Sequence, residues 1–131
     1  MHRFLCHCSD CRKISSALFC ANFTVADAHL RHVRGRDRLR AFGQSHTIQS
    51  GARMTNHFCD TCGSLMYRVS SGYPGLSILR LGTVDDFSLV ETKLKPQVEQ
   101  YVETRACWLK PMDGVKQSEG MFRRVEELSS L

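Results

Sequence analysis

Cys6-His7-Cys8-Ser9-Asp10-Cys11-Arg12-Lys13 gathers three thiols into six residues and sets two cations directly behind them. Three thiolates at that spacing can hold one soft, tetrahedral metal ion, and zinc is the natural candidate. Three protein ligands leave a fourth position open, which is where zinc does chemistry. A second pair, Cys59-Asp60-Thr61-Cys62-Gly63, has the turn spacing of a zinc knuckle. Two arrangements therefore compete. Cys8, Cys11, Cys59 and Cys62 can close one structural four-cysteine ribbon with Cys6 left over. Alternatively, Cys6, Cys8 and Cys11 form an open site of their own. A redox or disulfide role is the third reading.

Outward from the cluster, the pattern is one of short strands. Residues 12–18 can form a short helical turn. Segments rich in β-branched and aromatic residues follow at 19–25, 29–33, 39–42, 46–49, 54–58, 65–69 and 76–81. Gly35, Gly43, Gly51, Gly63, Gly72-Tyr73-Pro74-Gly75 and Gly82 separate them. Many short strands with such punctuation predict a mainly β fold of antiparallel sheets. Residues 91–102 read as loop then strand, and 122–128 as a terminal strand or helical turn. No helical period is long enough for a bundle.

The chain has 131 residues, the size of one domain with one core. No apolar run approaches the ~18 residues of a membrane span. The N-terminal residues run into polar ligands too soon for a signal peptide. The odd number of cysteines, 7, and their Cys-x-x-Cys clustering favour thiolate ligands in a reducing, cytoplasmic compartment. The formal charge is +5, with Arg31, Arg34, Arg36, Arg38 and Arg40 close together. The even spacing of the last four predicts one face of a strand. No aromatics interleave with them, so nucleic acid is not the expected partner and a solvated outer face is.

Electrostatics bear on the open site. Three thiolates on a divalent ion carry net −1, and Arg12 and Lys13 would offset it. The same cations could hold the carboxylates of an acidic thiol such as glutathione, whose thiol a metal would deprotonate. His7, between two ligands, is expected to point away from the metal into an outer-shell role. His57 is a possible substitute ligand beside Cys59. Cys20 and Cys107 read as small core residues, and Asp85-Asp86 as a capped turn.

The same residues resemble the glutathione-dependent formaldehyde-activating enzyme family, which also includes centromere protein V. The resemblance rests on Cys6–Lys13, Ala21-Asn22-Phe23, Ser50-Gly51, Phe58-Cys59-Asp60-Thr61-Cys62-Gly63-Ser64, Gly82-Thr83-Val84-Asp85-Asp86 and Arg105-Ala106-Cys107-Trp108-Leu109. It runs from about Leu5 to Gln117. It implies one zinc domain of the β-tent kind, with the catalytic zinc on Cys6, Cys8 and Cys11. It also implies that Cys59 and Cys62 are half of a structural zinc site. Family members complete that site with an earlier Cys-x-Cys, a motif not found before Cys6 here. A domain incomplete at its N-terminus and a two-thiol half-site are therefore expected.

The implied activity is that of a carbon–sulfur lyase. It would join glutathione to formaldehyde, or to another electrophile, as S-hydroxymethylglutathione or a similar product. Arg12 and Lys13 would help to place the glutathione carboxylates. The rival readings are a non-catalytic zinc module that binds protein or nucleic acid, and a glutathione carrier.

Overall fold

The computed structural model describes residues 1–122 of the chain. Eight strands make one sheet: β1 (Arg3–Cys6), β2 (Cys20–Ala26), β3 (Leu39–Gln44), β4 (Met54–Cys59), β5 (Leu65–Ser70), β6 (Leu76–Arg80), β7 (Val98–Gln100) and β8 (Lys116–Ser118). Their order across the sheet is β3-β4-β5-β6-β2-β1-β7-β8. The first five pairings are antiparallel, while β7 lies parallel to both β1 and β8. The mainly β expectation holds, with two short helices among the described residues, α1 (Ser9–Ser15) and α2 (Phe87–Glu91).

Several expected elements move. The first helix starts at Ser9, three residues before the expected turn. Cys8 takes an extended conformation and its Sγ accepts the Cys11 N–H, so the cysteine itself caps the helix. Residues 29–33 and 46–49 are not strands. Gly35, at φ 75°, turns the chain into a 3-10 turn at Arg36–Arg38, which ends the expected strand face of arginines. All five arginines are exposed nonetheless, and Arg38 and Arg40 both reach Asp60, at 3.0 Å and 3.8 Å. Cys107 is exposed rather than core, in the loop between β7 and β8. The segment 122–128, read as a strand or turn, lies outside the described residues beyond Phe122.

Residues directly opposite one another in paired strands share a face of the sheet. Following Phe4↔Asn22, Asn22↔Arg80, Arg68↔Ile78 and Asn56↔Arg68 traces one such face. Its buried members include Phe4, Cys6, Cys20, Ile78 and Val98, but also Asn22, Asn56, Arg68, Arg80 and Gln100. The opposite face carries a second apolar cluster. Phe23, Leu81 and Leu94 are buried there with Val25, Leu79, Leu89 and Val90 packed against them. Asp86 caps α2 by accepting the Ser88 N–H at 3.1 Å, as the capped-turn reading expects. The helix then carries Leu89 and Val90 onto the apolar face. Both faces carry a buried apolar cluster, and the first also carries the polar groups of a site.

Leu81 is 3% exposed within that apolar cluster. Leu81→Ala is expected to cost about 2–5 kcal/mol, through lost burial plus the cavity left behind. The check is urea denaturation, with a lower midpoint and an unchanged slope.

Candidate metal centre

The sulfurs of Cys6, Cys8 and Cys11 all lie within 4.8 Å of one another, the only group of three or more such donors among the described residues. Three elements bring them together. β1 ends on Cys6, an extended link carries Cys8, and the first turn of α1 carries Cys11. The Cys6 thiol donates to Cys8 Sγ at 3.4 Å, and the Cys11 N–H donates to the same sulfur at 3.4 Å. These contacts push the Cys8 thiol down to about 3, through hydrogen bonds from Cys11 and Cys6. Cys11 is also lowered, chiefly by the Cys20 thiol beside it and by Cys6. Cys6 is raised, because hydrogen bonding to Cys11 and Cys8 and its own burial hold its proton. Soft sulfur donors crowded this closely, two of them predisposed to ionise, fit a thiophilic divalent cation such as zinc.

The loop carrying the cluster is braced from behind. His7 is fully buried, and its backbone is held at both ends. Its N–H donates to Gln100 O at 3.1 Å, and its carbonyl accepts from Thr104 Oγ1 at 3.0 Å. Its Nε2 lies 3.5 Å from Glu99 Oε1, and Arg105 Nη1 donates to the other Glu99 oxygen at 2.9 Å. His7 is thus outside the sulfur cluster and tied to a buried carboxylate.

The cluster opens into a cavity of about 270 Å3 over the polar face of the sheet. Asn22, Arg68, Arg80 and Gln100 line it from the sheet, Thr47 to Ser50 from the β3–β4 loop, and Tyr73 and Tyr101 from the rim. Tyr101 sits in the left-handed region at φ 59°, a conformation that side chains with a Cβ rarely adopt. Burial, with Cys6 and Cys8 nearby, pushes its phenol up to about 12. Asp10 is the junction of the site. Its Oδ2 accepts from Arg68 Nη2 at 2.6 Å, and its Oδ1 accepts from Gln44 Nε2 at 3.1 Å and Thr47 Oγ1 at 2.9 Å. Arg68 Nη1 also reaches Cys11 Sγ at 3.6 Å.

A protein-family model for glutathione-dependent formaldehyde-activating enzymes matches residues 1–104. The chain belongs to that family. Among solved structures, a crystal structure of a Rhodobacter sphaeroides protein superposes with a TM-score of 0.51. It is 21% identical, and the match covers 64% of this chain and 69% of that one, which speaks to the fold alone. No curated protein matches. Family membership supports glutathione-dependent formaldehyde activation as a general activity.

For this formaldehyde-activating-family chain the expected site residues divide into three groups. Cys6, Cys8 and Cys11 converge, which removes the single four-cysteine ribbon. Cys59 and Cys62 do not join them, and no third potential ligand groups with that pair among the described residues. They flank a tight turn in which the Gly63 N–H, at φ 73°, donates to Cys59 O at 2.9 Å, and Cys62 is exposed. His57 stacks on Tyr67 at 4.5 Å between ring centroids. Arg12 and Lys13 do not line the cavity, and Lys13 is exposed. Helix geometry explains this, since positions just after Cys11 on α1 turn away from the face that Cys11 presents.

The charge beside the sulfurs comes instead from Arg68, 57 residues away in sequence. Arg80 lines the same floor. A signal for both existed in the sequence. Each is the one charged residue in its strand segment, at 65–69 and 76–81.

Arg68 and Asp10 form a pair with side chains only 4% and 12% exposed. Removing one member of a buried pair strands the other charge, so Asp10→Ala is expected to cost about 3–5 kcal/mol by thermal or urea unfolding. Metal binding has a defined sign with pH. A cation must displace the proton held on Cys6, so its affinity is highest in alkali and falls as pH drops. Competition with a chromophoric chelator across a pH series reads that slope directly.

Proposed function

We propose that the chain is a zinc-dependent carbon–sulfur lyase. It would add the thiol of glutathione reversibly to formaldehyde, or to another small electrophile, giving S-hydroxymethylglutathione or its analogue. The observation that carries this reading is the convergence of Cys6, Cys8 and Cys11 on the wall of a cavity whose floor carries two buried arginines. Zinc bound by these three residues supplies a positive centre that favours the thiolate form of an incoming thiol. Everything else is the work of the chain. In the addition, the thiol sulfur forms a bond to the carbonyl carbon and the carbonyl π pair moves onto oxygen. The proton lost from sulfur balances the one gained by that oxygen.

Arg68 holds positive charge against the sulfur cluster and is held there by Asp10. Tyr101, whose phenol stays protonated at neutral pH, is available at the rim as a hydrogen-bond donor to the developing oxyanion. The cavity places the two reactants together, which converts a bimolecular encounter into a local one. A concave small-molecule site favours this reading over a nucleic-acid module, because the exposed arginines between Arg31 and Arg40 lie outside the cavity lining. Free thiol ligands and a glutathione co-substrate suit a reducing cytoplasmic compartment. Among the described residues no helix is long and apolar enough to cross a membrane.

The purified protein is expected to hold about one zinc per chain on its three-thiol site, and Cys8→Ser to lose it. Calorimetry should show glutathione binding to the wild type and none to Cys8→Ser. Because glutathione and formaldehyde combine unaided, the decisive quantity is the rate in excess of the uncatalysed one. Binding without excess rate would make the protein a carrier. No glutathione binding to the zinc-loaded wild type would remove both readings.

A further inference from the structure

Among the described residues Arg68 and Arg80 are the buried arginines, and Arg105 is partly buried. Arg68 has Asp10 and Arg105 has Glu99. Arg80, 6% exposed, has no carboxylate among the described residues. Its Nη1 donates to Asn22 Oδ1, its opposite neighbour in the β2–β6 pairing. Its Nε and Nη2 are buried with no hydrogen-bond partner. Those two nitrogens are adjacent in the planar guanidinium, and their N–H bonds run side by side. That edge is the fork that matches the two oxygens of a carboxylate. A buried cation with its fork unpaired is costly unless an anion meets it. Arg80 lines the cavity together with Cys6, Cys8 and Cys11.

We propose that Arg80, oriented by Asn22, receives a carboxylate of the ligand on its Nε/Nη2 edge. The site would then select for ligands that carry a carboxylate a short reach from the reacting atom. The proposal rests on the functional reading above for the identity of the thiol and deepens it. Arg68 is not the receptor, because its Nη2 is already bonded to Asp10 and its Nη1 faces Cys11. The cavity, about 270 Å3, lies at the small end of ligand sites, which run to roughly 300–1,000 Å3. It therefore takes one carboxylate-bearing arm rather than a whole large molecule. That arm belongs either to the thiol, as in glutathione, or to the electrophile, as in an aldehyde acid. The chemistry at Arg80 is the same in both cases.

The test compares zinc-loaded wild type with Arg80→Gln, Arg80→Lys and Asn22→Asp. The probes are malonate, glutathione, 2-mercaptoethanol as a thiol without a carboxylate, and the electrophiles formaldehyde and glyoxylate. Malonate is expected to raise the thermal midpoint of the wild type and to leave that of Arg80→Gln unchanged. If the thiol brings the carboxylate, glutathione binds Arg80→Gln ten- to a hundredfold more weakly, while 2-mercaptoethanol binds both proteins equally. If the electrophile brings it, glutathione binding is unaffected and the loss falls on glyoxylate but not on formaldehyde. Metal content should match the wild type in every variant.

Equal responses of wild type and Arg80→Gln to malonate, to glutathione and to both electrophiles would overturn the proposal. Should Arg80→Gln and Arg80→Lys fail to fold, Asn22→Asp decides. It keeps the arginine but supplies it with an internal charge, so anion affinity must fall, and an unchanged affinity overturns the assignment. Malonate binding that depends on Arg80, in a protein that ignores every thiol, would uphold the carboxylate site and discard the lyase reading. Glutathione turnover indifferent to Arg80 with formaldehyde and glyoxylate alike would do the reverse.

Discussion

Thiolates held within a few ångströms of one another need positive charge beside them, and here that charge is Arg68. Its guanidinium touches Cys11 with one nitrogen and Asp10 with another. Asp10 in turn ties the β3–β4 loop through Gln44 and Thr47. A single carboxylate on α1 therefore joins the helix that presents Cys11, the strand that supplies the cation and the loop that covers the cavity. Remove that junction and the three parts of the site have no common anchor.

This arrangement demands a sheet with two different faces. The side facing α2 is an ordinary apolar core, with Phe23, Leu81 and Leu94 at its centre. The side facing the cavity buries Asn22, Asn56, Arg68, Arg80 and Gln100. Burying that many polar groups weakens a fold unless each finds a partner. Several do find one, in the sheet face or on α1. Arg80 bonds Asn22, and Arg68 bonds Asp10. Two nitrogens of Arg80, which lines the cavity, remain open. Polar groups left open at the floor of a cavity are the pattern of a binding site rather than of a core.

The bracing behind the cysteine loop follows the same logic. His7 is fully buried, with its ring Nε2 3.5 Å from Glu99 Oε1. Glu99 is itself fixed by Arg105, from the loop after β7. The chain thus locks the two sides of a six-residue cluster with residues drawn from both ends of the fold. A metal ligand set built on so short a loop needs that rigidity to hold its geometry.

Much of this was legible in the sequence. Short strands punctuated by glycine gave the β fold, and the cysteine spacing offered Cys6, Cys8 and Cys11 as one of two competing donor sets, which the resemblance favoured. Both are local properties, set by side-chain period and loop reach, so a linear reading can recover them. The cations of the site were not legible in the same way. Arg12 and Lys13 are adjacent to the cluster in sequence, but helix geometry turns them away from its cavity. Arg68 and Arg80 reach it because strand pairing sets β5 and β6 beside β2. Alternation alone cannot distinguish a polar face that meets water from one that lies under a loop. Asn22 and Arg80 line the same cavity as residues Thr47 to Ser50 of the β3–β4 loop, a juxtaposition that no local pattern encodes. The sequence by itself determined which residues could bind a metal. Only the tertiary structure decided which charges would surround it, because those charges are brought together by pairing between distant strands.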